Sequence, residues 1–385
     1  MDFKLSEEQR MIQQMARECV AREILPVMAA HDRERPLPKS VMLDLYAVLK
    51  ELGLMAPRLP ETEGGTGLSY LAYGMIMEEL PAELALSVMA HESTVARIHL
   101  GANEEQKKRF LPKLIAGEAL ACTGISEPNV GSDPRSIETR GRQEDGMVVL
   151  DGTKLWITNG SISDLIVAVA SMGQDAAGRN LITRVVVERE HSPYHASEVD
   201  AIGLRQGHLS EVVFENCRVP EGNVLGEAGD AHGALTATWL ANRPLVGMMA
   251  VGLARRALEA CIAYAGVRKQ FGRTIGGFQL IQEMLSEIAT RVDAARLLCY
   301  RALAMLDDGV RSNKEAAMAK WFATENCLAA IGLAMQCHGA SGLTREVEIE
   351  RLYRDARMLT FPDGTTQIQH LIVGQELTGI SAFRG

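Results

Sequence analysis

The sequence lacks several features, and each absence excludes something. No run of about 18 apolar residues occurs, so no membrane-spanning helix is expected. No C-x-x-C occurs either. Seven cysteines are scattered singly through 385 residues, a set that suggests reduced thiols in a cytoplasm-like compartment. Positive charge is not in excess: 40 Lys and Arg against 49 Asp and Glu give a net charge of -9, which argues against a nucleic-acid partner. No G-x-G-x-x-G follows a strand pattern, so a Rossmann dinucleotide site is not expected. No Walker loop is found. "HESTV" at His91 lacks the second histidine of H-E-x-x-H, and no metal site is expected. "GASG" at Gly339 is not the G-x-S-x-G of a nucleophile elbow. The opening "MDFKLSEEQRMIQQMA" lacks the basic and apolar regions of a secretory signal, so a cytoplasmic location is expected.

What is present fits a globular protein of two or three domains, with 47% hydrophobic and 23% charged residues. Eighteen methionines suit soft core filling better than ligation. The pattern changes twice. Residues 1–118 read as helical. Ser6 followed by Glu7 and Glu8 is a helix start, and Met11, Ile12, Met15, Val20 and Ile24 recur at helical spacing. Residues 119–228 are rich in short strands. "MVVLDGTKLWIT" reads as two strands around an Asp151-Gly152 hairpin turn, followed by "DLIVAVAS", "TRVVVERE" and "SEVVFENCRVP". Residues 229–385 return to helix, with a clean stripe of Ile281, Met284, Leu285, Ile288, Val292, Ala295 and Ala302. The expectation is an α+β protein with a helical N-terminal domain, a mostly antiparallel β domain and a C-terminal helical bundle.

Five stretches carry chemistry, and each has a plain alternative. "SEPNVGSD", Ser126 to Asp133, is a ligand loop or simply a structured turn. In "KLWITNG", strand alternation puts Trp156 and Thr158 on one face, where they frame a flat aromatic ligand or fill a core. "RKQFG", Arg268 to Gly272, is a phosphate grip or a solvated helix end. "QCHGASG" stops a long helix at glycines in an ordinary C-cap. "FPDGTTQIQ" sets Asp363 after Phe361 and Pro362 at a helix start, as a turn residue or as a base.

In order and spacing the set resembles the acyl-CoA dehydrogenase family of flavoproteins across nearly the whole chain. The family's T-E-P-x-A-G-S-D resembles Ser126 to Asp133, and its W-I-T-N-G matches Trp156 to Gly160. Its R-x-x-F-G matches Arg268 to Gly272, with Gln279 at the family spacing. Its Q-x-x-G-G-x-G resembles Gln336 to Gly342, and its E-G-T-x-x-I-Q resembles Asp363 to Gln369.

The resemblance implies a helical domain, a β domain and a four-helix bundle, usually assembled as a tetramer, a dimer of dimers. It implies FAD, with the flavin against Ile125, Ser126, Trp156, Ile157 and Thr158, and Ser132 between cofactor and substrate. Arg268, Gln270, Phe271 and Gln279 would reach the FAD of a neighbouring subunit. Gln336, Cys337, His338, Gly339 and Ala340 would line that pocket across the interface. Thr365 and Gln367 would close on the FAD phosphates, as a helix N-terminus can. Ser132, Asn242, Arg243 and Gly364 would meet the acyl thioester.

The implied reaction takes a proton from Cα of an acyl-CoA and a hydride from Cβ, giving the 2-enoyl-CoA, with electrons passed to an electron-transfer flavoprotein. Asp363 stands where the family base is normally Glu, and its N–H would polarise the thioester carbonyl. Some branches place the base before the family arginine on another helix. That position here is Asn242, before Arg243, and it cannot take a proton. Glu92 reads as a solvated helix residue. Asp is one bond, about 1.5 Å, shorter than Glu, and Pro362 replaces an aromatic residue, so a compact branched or cyclic acyl group is expected. Two other readings stand beside this one. One is a flavin oxidase like the nitroalkane oxidases, although His370 replaces the arginine expected seven residues after Asp363. The other is a catalytically silent thioester- or flavin-binding member.

Overall fold

The computed structural model describes residues 4–383. The N-terminal part is built from α1 (Glu7–Cys19), α2 (Leu25–Ala29), α3 (Lys39–Glu51), α4 (Tyr70–Glu79), α5 (Ala82–Gly101) and α6 (Glu104–Ile115). Ser6 caps α1 in a reciprocal capping box with Gln9, as the sequence pattern predicts. The apolar stripe of α1 is only partly buried. Ala16, Val20 and Ile24 face the core, whereas Met11 and Met15 are 66% and 49% exposed. A single helix carries more apolar residues than one packing partner covers, and the partner decides which face turns inward.

The central part is a mixed eight-stranded sheet of β1 (Ala121–Gly124), β2 (Arg140–Glu144), β3 (Met147–Thr158), β4 (Leu165–Gln174), β5 (Asn180–Glu188), β6 (His195–Glu198), β7 (Leu209–Pro220) and β8 (Val224–Leu225). Its order is β6-β7-β3-β2-β4-β5-β8, with β1 alongside β4. All pairs are antiparallel except β1 with β4 and one bridge between β2 and β4. The expected hairpin at Asp151-Gly152 is not there, and β3 runs straight through it. The turn is made by the previous Asp-Gly pair, Asp145 and Gly146, both at positive φ. Gly152 instead sits at a β-bulge with φ 150, where a Cβ would come within 2.5 Å of Thr139 Oγ1. Turns and bulges both need positive φ, so the dipeptide alone does not separate them.

The C-terminal part contains α7 (Ala231–Val267), α8 (Gln279–Asp307), α9 (Asn313–His338), α10 (Ile349–Met358) and α11 (Thr366–Thr378). Between α7 and α8 lies a small hairpin, β9 (Lys269–Gln270) and β10 (Arg273–Thr274). The bundle and the N-terminal helices share one continuous apolar core. Within it Glu78 of α4 is fully buried and accepts from Arg255 of α7 at 3.2 Å and Arg296 of α8 at 2.8 Å. Three helices are thereby tied at one charged point. Among the described residues no helix is long and apolar enough to cross a membrane, and no cluster suited to a metal ion is found.

Candidate active site

Asp363 lies on the turn between α10 and α11. Its φ of 53 is in the left-handed region, unusual for a residue with a Cβ. The turn is held in that shape from two sides. Lys320 of α9 donates to the Thr360 carbonyl at 2.7 Å and the Gly364 carbonyl at 2.9 Å. The Gln369 amide donates to the Asp363 and Gly364 carbonyls, both at 3.0 Å. Burial lowers the Lys320 ammonium to about 8 against the pull of Asp363 and Glu325. Among the described residues the Asp363 N–H meets no backbone acceptor. Thr365 caps α11 by accepting from the Ile368 N–H, which leaves the earlier N–H groups of that helix open toward an anion.

The Asp363 carboxylate reaches into a buried polar network. Its Oδ1 accepts from Asn242 Nδ2 at 3.2 Å. The other end of the Asn242 amide accepts from Arg58 at 2.5 Å, and the same Arg58 nitrogen donates to Glu92 at 2.6 Å. Tyr73 donates to Glu92 at 3.2 Å. Arg97 donates from Nε to Thr238 Oγ1 at 2.9 Å. Asn242, Glu92 and Arg97 are 2%, 1% and 5% exposed. Burial raises Glu92 to about 7, against Arg58, Tyr73 and Arg97. The expectation that Glu92 is solvated is therefore wrong. Helix α5 is buried on nearly every side, so its charged residues have no outer face to occupy. Arg58, Tyr73, Arg97, Thr238 and Lys320 carry no motif, and Gln369, which ends the Asp363 motif, was given no role from the sequence. Arg243 donates to Asn313 at 2.8 Å, and Asp363 is near enough to oppose the lowering of its guanidinium by burial.

The β domain contributes a second group. Glu127 accepts from Lys154 at 2.7 Å and from the Thr139 and Glu138 N–H groups at 2.9 and 2.6 Å. Burial works against this carboxylate, but Lys154 and these donors hold it below its ordinary range. The pair pins the Ser126–Asp133 loop to β3, and the Leu155 N–H donates to the Ser126 carbonyl at 2.9 Å. A bulge between Lys154 and Ile157 then turns Trp156 outward, 56% exposed at φ 66. Ile125, Ser126 and Thr158 lie half-buried, and Ser132 is exposed. Ile157 faces the opposite way, into the β core. Asn159 is structural: it bonds the Ser87 carbonyl at 2.9 Å and the Ser87 hydroxyl at 2.7 Å, stitching the sheet to α5. Ile125 and Trp239 of α7, three residues before Asn242, pack against the same apolar cluster. An exposed indole suits the face of an isoalloxazine, and an open helix N-terminus suits a phosphate, so both kinds of group that FAD needs are present.

The remaining motifs lie elsewhere. Arg268 closes α7, and Asn242 sits near its start, about 26 residues or about 39 Å away along the helix. Lys269 to Thr274 form a hairpin with Phe271 and Gly272 at its tip, both at positive φ. Phe271 is 93% exposed, and Arg268, Gln270 and Gln279 are exposed beside it. The end of α9 joins this group through His338, which stacks on Tyr264 at 4.5 Å and approaches Cys261 at 3.6 Å. Gln336, Gly339 and Ala340 are exposed, but Cys337 and His338 turn into the bundle. The side chains of those two do not face a neighbour, because helical spacing aims them at α7. The motif residues thus fall into two groups separated along α7.

Comparison with known proteins gives the family. Models of the N-terminal, middle and C-terminal domains of acyl-CoA dehydrogenase match residues 6–118, 122–217 and 233–378. An acyl-CoA dehydrogenase of Bacillus subtilis is 33% identical over 97% of this chain and 99% of its own. The structure of glutaryl-CoA dehydrogenase from Mycobacterium smegmatis is 32% identical with a TM-score of 0.91, covering 99% of this chain and 97% of that one. Acyl-CoA dehydrogenase from Bacillus anthracis, complexed with FAD, is 29% identical with a TM-score of 0.87, covering 98% of this chain and 68% of that one. The chain belongs to the acyl-CoA dehydrogenase family, FAD-dependent oxidoreductases that act on CH–CH groups.

Proposed function

We propose that the protein dehydrogenates a short, branched or cyclic acyl-CoA to its 2-enoyl-CoA, with Asp363 as base and an electron-transfer flavoprotein as acceptor. The observation that carries this reading is the Asp363 carboxylate, held by Asn242 inside a buried network on a turn fixed by Lys320 and Gln369. Asp363 takes the Cα proton. Its unpaired N–H polarises the thioester carbonyl and stabilises the charge that develops there. The bound FAD supplies the hydride acceptor for Cβ. Ile125, Ser126, Trp156 and Thr158 would frame the flavin, with Thr365 and Gln367 at its phosphates and Ser132, Arg243 and Gly364 toward the thioester. Asn242 acts by orienting Asp363, because its carbonyl is held by Arg58 and only its NH2 is left to donate.

The acyl preference follows from the turn. Lys320 and Gln369 restrain Asp363 from moving inward, so the shorter side chain must be met by a substrate whose Cα comes closer. Width beside Cα favours compact groups. The second half-site supports assembly as a homotetramer, a dimer of dimers. An exposed Phe271, with Val267 and Leu280 at 74% and 68% exposure, suits cover by a neighbour that lends Arg268, Gln270, Gln279 and Gln336 to the FAD. Seven free cysteines support a reducing compartment, the cytoplasm.

The test is kcat/KM for isobutyryl-, 2-methylbutyryl-, cyclohexanecarbonyl-, butyryl-, octanoyl- and palmitoyl-CoA, with an electron-transfer flavoprotein and with oxygen as acceptors. The expected result is faster turnover of the compact substrates and little oxygen uptake. A straight-chain optimum at octanoyl or beyond would overturn the substrate, and rapid oxygen uptake would favour the oxidase reading. In the Asp363→Glu variant the preference is expected to move toward straight chains.

A further inference from the structure

Several buried cations act on Asp363, and among the described residues none forms an ion pair with it. Arg58, Arg97, Arg243 and Lys320 each feel its charge. Each is held by another group. Lys320 is taken by the Thr360 and Gly364 carbonyls, Arg243 by Asn313 and Arg97 by Thr238. Those partners are neutral. Arg58 differs, because its partner is an opposite charge: it pairs with Glu92 at 2.6 Å, with side chains 6% and 0% exposed.

Arg58 lies in the connection between α3 and α4, and a single amide separates it from the base. The nitrogen that meets Glu92 also donates to the Asn242 carbonyl at 2.5 Å, and the Asn242 NH2 donates to Asp363 at 3.2 Å. Tyr73 of α4 donates to the same Glu92 oxygen at 3.2 Å. The Arg58 Nε and the second Glu92 oxygen are buried without a partner. Burial opposes the Arg58 charge, and Glu92, Tyr73, Tyr70 and Asp363 outweigh it and hold the guanidinium above its ordinary range. Two carboxylates stand in that set, Glu92 and Asp363. With Glu92 gone, a buried guanidinium is left to seek Asp363. Such a pairing matters chemically. A carboxylate gripped by a guanidinium binds its proton roughly tenfold to a thousandfold more weakly. The planar fork also covers both carboxylate oxygens. A neutral amide fixes the carboxylate with neither effect.

We propose that Glu92 is a positioning residue that holds Arg58 off Asp363, so that the base is oriented by the neutral Asn242 amide rather than by a cation. This rests on the reading of Asp363 as base and adds what keeps it ready. Glu92 takes no proton from the substrate in this account. The groups that face Glu92 are Arg58, Tyr73 of α4 and Arg97 of its own helix α5. Those that act on Asp363 from the bundle are Asn242 and Arg243 of α7 and Lys320 of α9.

The experiment is anaerobic flavin reduction by a compact acyl-CoA, followed as a function of pH. It compares FAD-loaded wild type, Glu92→Gln, the double variant Glu92→Gln/Arg58→Met, and Asp363→Asn. Dissociation constants for FAD and the thioester come from spectral titration. Glu92→Gln is expected to lower the limiting rate by at least about tenfold and to move its acid limb to lower pH. Thioester binding is expected to stay within about threefold. Adding Arg58→Met is expected to recover most of the lost rate, because the cation released by the first change is then absent. A wild-type rate in Glu92→Gln would overturn the proposal. So would a loss that Arg58→Met leaves in place or deepens, the result expected if Glu92 is itself the base or only supports the fold. Should Glu92→Gln bind no FAD, Asn242→Ala with and without Arg58→Met decides: a rate raised by Arg58→Met supports the proposal, and one left alone or lowered overturns it. Slow bleaching in Asp363→Asn beside normal bleaching in Glu92→Gln refutes only the hold on Arg58. Normal bleaching in Asp363→Asn refutes the base and the proposal together.

Discussion

The position of Asp363, the proposed base, is fixed by other residues, and most of those are illegible in the sequence. The motif around Asp363 is recognisable from residue order alone. Asn242 is recognisable only as a departure from the family. Glu92 and Arg97 look like surface charges, since nothing in a single sequence shows that α5 is enclosed on nearly all sides. The pair His91 and Glu92 makes that burial measurable. Burial raises Glu92 from 4.5 to about 7. Its folded form therefore prefers the proton, and its contribution to stability is complete below about pH 4.5 and fades as pH rises toward 7. Burial lowers His91 from 6.5 to about 4. Its contribution is complete above about pH 6.5 and fades as pH falls toward 4. The Ala121 N–H donates to Nδ1 at 3.1 Å and Nε2 faces the Leu114 carbonyl at 3.1 Å, an arrangement that needs the neutral ring. Glu92→Gln is expected to remove roughly 3 kcal/mol of pH dependence between pH 4.5 and 7. Urea midpoints across that range check it, and an unchanged slope would mean that Glu92 is ionised throughout.

At the scale of elements, the periodicities announce helices and strands well and connections poorly. The stripe on α8 is buried where the spacing puts it, at Ile288, Val292, Ala295 and Ala302. The β domain is legible as a set of short strands, but the Asp-Gly pair that bulges β3 reads the same as the one that turns the chain before it. The turn that carries Asp363 depends on tertiary contacts no local pattern contains. Lys320→Met is expected to leave the Thr360 and Gly364 carbonyls without their shared donor. The expected cost is about 1–3 kcal/mol in stability, with a flavin-reduction rate lowered more than FAD affinity. Thermal denaturation and anaerobic stopped-flow reduction measure the two. Equal losses in rate and FAD affinity would show that the turn serves the cofactor rather than the base.

For the whole molecule, the order helix, sheet, helix is plain in the sequence, and the separation of the motifs is not. Ordered motifs suggest one site. The length of α7 instead puts Asn242 and Arg268 about 39 Å apart, and in the proposed tetramer a second chain would bring the FAD motifs together. Arg268→Ala and Phe271→Ser are each expected to loosen FAD and shift the assembly toward smaller species together. Gel filtration with an absorbance spectrum reads both at once. Loss of FAD with intact assembly would confine Arg268 to cofactor contact. Glu78→Ala is a contrast that leaves both half-sites in place. Removing the carboxylate takes from Arg296 its buried partner and leaves Arg255 to Glu79 and Glu259, with an expected loss of about 3 kcal/mol in unfolding experiments. An effect below about 1 kcal/mol, the scale of an exposed pair, would show that the cluster is hydrated.

The most direct test of the account is anaerobic single-turnover reduction of the FAD-loaded protein by a compact acyl-CoA, with the wild type beside Asp363→Asn. The expected result is a yellow protein with one FAD per subunit that bleaches rapidly, and a variant that keeps FAD and thioester binding but bleaches at least about a hundredfold more slowly. Near-normal bleaching in Asp363→Asn would contradict it and move the base elsewhere, with Glu92 the next carboxylate to test.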